Sequence, residues 1–93
     1  MIEVAAGRLV VKAPMTMANA RGLLEAGRSV LQPGEQVFDL GEVGEADSSA
    51  LAVMLGWLRA ASLLRSTVKF ANIPLGVRSL AELYGLTELL PLN

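Results

Sequence analysis

The sequence predicts a single α/β domain built on a mixed four-stranded sheet. Three observations point there. The chain has 93 residues, room for one small domain and too short for two. Short segments rich in β-branched residues alternate with longer segments of helical period. The first two strand segments are separated only by a glycine turn, whereas the later ones are separated by helices and need crossover connections. The resulting order is β-β-α-β-α-β-α, and the sheet is therefore partly parallel.

Each element follows from local chemistry. Ile2 to Ala5 alternates weakly and reads as an edge strand. Ala6-Gly7 is a turn signal, and Arg8 to Ala13 is a second strand closed by Pro14. From Thr16 the period changes. Ala20, Leu23, Leu24, Gly27, Val30 and Leu31 share one helical face, with Thr16 or Asn19 as the expected cap. Gly22 and Gly27 each lower helix propensity by about 1 kcal/mol relative to Ala, yet they let the helix lie close to a neighbour. Pro33-Gly34 ends it. Glu35 to Leu40 is a short strand, and Gly41 to Asp47 is a polar turn. Ser48 to about Leu64 is the strongest helix. Thr67 to Ala71 alternates as a strand. Asn72 turns the chain, Pro74 suits a first helical turn, and the last helix runs from Leu75 to Tyr84 with Gly85 after its end. Leu86 to Asn93 is an apolar tail.

Composition removes several function classes. Without cysteine there is no disulfide, thiolate nucleophile or zinc–thiolate site. Without histidine there is no Ser-His-Asp or Cys-His catalysis and no imidazole metal site. No metal or other cofactor is expected. The net charge is -1 with the basic residues scattered, so no nucleic-acid footprint exists. The most apolar stretch, Ala50 to Leu64, is broken by Arg59 and is too short to span a membrane. Glu3 directly after the start argues against a signal peptide, and no direct membrane insertion is expected. The hydrophobic share is 53% and the charged share only 18%, where roughly 25% is usual. A domain this small must place that apolar excess somewhere.

The informative segment is Asp39 to Leu51. A strand ends at Asp39-Leu40, a short loop follows, and Asp47-Ser48-Ser49 opens the long apolar helix. Asp or Ser there can accept hydrogen bonds from the free N–H groups of the first turn. The same donors favour an anion, including a phosphate on a serine. Asp39-Leu40, Val43 and Asp47-Ser48-Ser49-x-Leu51 before an apolar helix resemble the STAS domain (sulphate transporter and anti-sigma factor antagonist). The element order agrees along nearly the whole chain. Gly41-Glu42 and Ala50 depart from the usual pattern of that family. Ser79 to Leu86, followed by Leu89-Leu90-Pro91, resembles the end of the small STAS subunit of Mla-type phospholipid-transport ABC systems.

The resemblance implies a STAS-like domain over 1–93, with helices mainly on one face of the sheet. It also implies a non-catalytic cytoplasmic protein at the cytoplasmic face of the inner membrane, held there by its partner, the ABC transporter ATPase subunit. The alternative within the family is an anti-sigma factor antagonist regulated by serine phosphorylation.

Each candidate residue has a plainer reading beside the functional one. Asp47, Ser48 and Ser49 can simply cap the helix, form part of the partner interface, or, at Ser49 or Ser48, carry a phosphate. A phosphate would gain from the helix N-terminus and be repelled by Asp47 and Glu45, with Asp39 a further candidate. Asp39 and Asp47 are expected as turn and cap carboxylates rather than an acid–base pair. The long helix carries two apolar stripes. One holds Leu51, Met54, Leu55, Leu58 and Ala61 or Ser62, and the other holds Val53, Trp57, Ala60 and Leu64. One stripe must pack on the sheet. The second makes Val53, Trp57 and Ala60 candidates for an exposed partner-binding patch, or for a homodimer contact in isolation. The plainer reading packs Trp57 against the last helix or the tail. Arg59 and Arg65 either rim that patch or form a solvated face.

Overall fold

The computed structural model describes residues 1–91. The tail is therefore described to Pro91, and Leu92 and Asn93 lie outside the described residues. Strands β1 (Ile2–Ala5) and β2 (Arg8–Val11) form the expected hairpin, with Ile2 opposite Val11 and Ala5 opposite Arg8. Both turn residues, Ala6 and Gly7, have positive φ, at 53° and 76°. That is the sign pattern of the type I′ turn, whose twist suits a two-residue hairpin.

A short 3-10 turn at Met17–Asn19 leads into helix α1 (Ala20–Val30). Strand β3 (Gly34–Asp39), helix α2 (Ser49–Leu63), strand β4 (Ser66–Ala71) and helix α3 (Leu75–Leu83) complete the order read from the sequence. The sheet order is β1-β2-β3-β4, antiparallel at the hairpin and parallel across β2, β3 and β4. Successive parallel strands are added in one direction. Right-handed crossovers then put α1 and α2 on the same face, where they pack against each other.

The period-2 pattern separates the two faces of the sheet. Leu9, Val11, Phe38, Val68 and Phe70 point to the helices and are buried. Glu35, Thr67 and Lys69 point the other way and are exposed. Phe38 and Phe70 are register partners on the parallel strands β3 and β4, and their rings lie 5.9 Å apart. The Trp57 indole lies flat on Phe38, with ring centroids 4.1 Å apart and planes at 2°.

The end of α3 is closed by local geometry. Gly85 takes φ +68°, Leu86 N–H donates to the Ala81 carbonyl and Gly85 N–H to the Glu82 carbonyl. This is the Schellman pattern expected of glycine just past a helix end.

Candidate functional site

The junction before α2 is held from both sides. Leu40 and Val43 are buried and anchor the loop that leaves β3. Farther along, Met15 and Ala46 form an isolated parallel bridge. Met15 N–H donates to the Glu45 carbonyl at 2.9 Å, and Asp47 N–H donates to the Met15 carbonyl at 3.1 Å. Asp47 then satisfies the starts of two helical segments with one carboxylate. Its Oδ1 accepts the Ser49 N–H at 2.8 Å, and its Oδ2 accepts the Met17 N–H at 3.1 Å. Both donors belong to the first-turn N–H groups that lack intrahelical partners. The Ser49 N–H and then the Met17 N–H hold the Asp47 carboxyl below the usual carboxylate range.

The cap of the first helical segment therefore differs from the sequence expectation. Thr16 makes no capping bond with its side chain, and Asn19 donates its amide to the Pro14 carbonyl at 2.9 Å. The carboxylate comes from Asp47, 30 residues away, and no local pattern signals a donor–acceptor pair so distant in sequence. Ser48 occupies the cap position of α2 with an exposed side chain that makes no capping bond. Ser49, at the first position of α2, is half-buried. Met17 is 77% exposed beside this junction. The site thus offers a fixed carboxylate, a free hydroxyl and an exposed thioether.

Asp39 lies elsewhere and is occupied by other donors. Its Oδ1 accepts from Asn72 Nδ2 at 3.0 Å and from Gly41 N–H at 2.9 Å, while its Oδ2 faces Arg8 Nη1 at 3.3 Å. The Asn72 amide, followed by the Gly41 N–H, lowers its pKa despite partial burial. Asp39 and Asp47 each carry their own donor set and share none.

The exposed patch expected on α2 is corrected. Trp57 is 0% and Val53 3% exposed, so neither can present apolar area to a partner without opening the core. The reason is the close approach of α1. A methyl group built at Gly27 would overlap three atoms of the Trp57 indole, the farthest at 2.7 Å. The missing side chain makes room for the ring, and Trp57 Nε1 donates to the Leu23 carbonyl at 3.1 Å. Trp57 thus packs against α1 and the sheet. Of the three patch residues only Ala60 stays half-buried. It lines a groove of about 140 Å³ with Leu24, Arg28, Gly56, Arg59 and Leu63.

Much of the exposed apolar area falls instead at helix ends and in the turn after α3. Leu63, Leu75, Leu83 and Leu89 are 82%, 81%, 74% and 63% exposed. The helical period of the sequence hid them, because end residues escape the neighbours that cover mid-helix positions. Among the described residues no cluster of three or more His, Cys, Asp or Glu side chains could hold a metal ion. No helix among the described residues is long and apolar enough to cross a membrane.

A family model described as "Mlab, STAS domain" matches residues 2–91. No curated protein is similar enough to the chain to count as a match.

Proposed function

The chain belongs to the STAS domain family, whose members serve as non-enzymatic regulatory or accessory modules, and on that premise we propose that it is the accessory subunit of a phospholipid-transport ABC complex. It docks on the ATPase subunit through the Asp47–Ser49 junction and acts at the cytoplasmic face of the inner membrane through that partner. The observation that carries this reading is the junction itself. Ser48 presents an exposed hydroxyl unused as a cap, next to exposed Met17, on a backbone held rigid by Asp47. A preformed polar contact with an apolar neighbour suits a protein interface, because little ordering is needed on binding. The description of the matching family model supports the transport branch.

The phospho-switch reading draws on the same free hydroxyl. It is disfavoured because the Asp47 carboxylate already accepts from the first-turn N–H that a phosphate would use, and two anions there would repel.

The test is capture of a co-expressed ABC ATPase by the tagged chain. Ser48→Arg and Met17→Glu are expected to weaken capture at least tenfold while circular dichroism stays unchanged. Undiminished capture by both variants would overturn the junction as the docking site. A stoichiometric phosphate on Ser48 or Ser49 after incubation with a sigma-regulating kinase and ATP would transfer the function to the antagonist branch.

A further inference from the structure

Two surface regions of this chain are both apolar and carry opposite charges. The first is the groove between α1 and α2. Leu24, Gly56, Ala60 and the exposed Leu63 line it, with Arg28 and Arg59 beside them. Arg59 has no ion-pair partner among the described residues. The pair of Arg28 with Glu25 is solvent-exposed at 3.3 Å, a kind of contact that contributes little and yields readily. A volume near 140 Å³ suits one leucine- or phenyl-sized side chain, since a cavity of about 150 Å³ holds benzene.

The second region is the end of α3 and the turn after it. Leu83 and Leu89 are exposed there, and each is preceded by an exposed acid, Glu82 and Glu88. Neither acid has an ion-pair partner among the described residues. One region is apolar and basic, and the other is apolar and acidic. α2 packs against both α1 and α3, and the groove opens on its α1 side.

We propose that copies of this chain associate head to tail, the α3 end of one copy seating a leucine and its neighbouring acid in the α1–α2 groove of the next. The occupant is a second copy because the complementary surface is present on the same chain. The head-to-tail contact joins unlike surfaces, so it is heterologous and each copy can receive one neighbour and engage another. Its charge pairs are exposed, so the association is weak and falls with added salt. The groove begins seven residues beyond the start of α2, about 10 Å along the helix axis at 1.5 Å per residue, so the Asp47–Ser49 junction stays free. The inference does not rest on the ATPase reading.

Sedimentation velocity on the full chain tests it across micromolar to millimolar protein. The wild type is expected to show a weight-average mass that climbs above 9.8 kDa with concentration and returns toward the monomer at high salt. Arg59→Ser with Leu63→Ser spoils the groove, and Leu83→Ser with Glu88→Ser spoils the α3 end. All four side chains are exposed, so both double variants are expected to fold, with circular dichroism as the check. Each alone is expected to remain monomeric. Mixed in equal amounts they retain one good groove and one good α3 end, and are expected to give a one-to-one dimer and nothing larger. A wild type that stays monomeric throughout overturns the proposal, including the case in which the groove variant loses ATPase capture instead. Undiminished association of either variant alone, or no dimer in the mixture, overturns it equally.

Discussion

Gly27 and Trp57 decide the spacing between α1 and α2. Any Cβ at Gly27 meets the rigid indole, which is itself pinned by Phe38 below and the Leu23 carbonyl beside it. Gly27→Ala is therefore expected to cost about 1–3 kcal/mol, the usual range for overpacking a filled core. Urea unfolding followed by Trp57 fluorescence measures it. Gly56→Ala is the control, because its new methyl would meet only Leu24 Cδ1, the end of a flexible side chain. The helix-propensity gain of about 1 kcal/mol applies at both positions, but at Gly56 it is set against a clash that a flexible side chain relieves, and a net change within about 1 kcal/mol is expected. The carboxylates set a second residue-scale behaviour. Asp39 and Asp47 both have lowered pKa values in the folded chain. A lowered folded-state pKa contributes stability that is complete above the unfolded value of about 3.9 and is lost as pH falls through the folded value. The urea midpoint of the wild type should therefore lose this contribution as pH falls below about 4, from the unfolded value down through the lower folded ones. In Asp47→Ala the midpoint is lower at neutral pH and the acid drop is smaller. An equal acid drop in both proteins would show that Asp47 is not a source of the pH dependence.

At the scale of elements, the hairpin and the helix junction obey different rules. The β1–β2 turn places Ala6 at φ 53°, a conformation that asparagine tolerates better than alanine. Ala6→Asn is expected to raise stability by about 0.5–1 kcal/mol, within the range of turn optimisations, and a higher melting temperature checks it. The junction before α2 depends on a partner outside its own element. Asp47 joins the 3-10 turn to α2, so its removal loosens two helix starts together. Hydrogen exchange on Asp47→Ala should show faster amide exchange at both Met17 and Ser49. Faster exchange at Ser49 alone would mean the Met17 bond contributes no protection.

At the scale of the whole molecule, one core spans the helix-facing side of the sheet. Trp57 touches Phe38 from β3 and approaches Phe70 of β4 at 6.5 Å, while its indole N–H bonds to α1. Elements that share one core unfold together in domains of this size. Trp57 fluorescence and far-UV circular dichroism are thus expected to give coincident unfolding curves, and separated midpoints would show that the core is not a single cooperative unit. The apolar excess of the composition divides between this core and exposed side chains that include Met17, Leu63, Leu75, Leu83 and Leu89.

The sequence by itself determined the element order, the hairpin turn, the glycine close of α3 and the place of the Asp47–Ser49 junction. These depend on backbone preferences and side-chain period over a few residues, which a sequence displays directly. Only the tertiary structure decided that α2 is covered on both of its apolar stripes, with Leu51, Met54 and Ala61 buried on one and Val53 and Trp57 on the other. That outcome depends on how near α1 approaches, and so on the absence of a side chain at Gly27, 30 residues before Trp57. It also decided that Asp47, not Thr16 or Asn19, caps the turn at Met17. Contacts of that kind join residues that are close only after folding, so no local pattern records them.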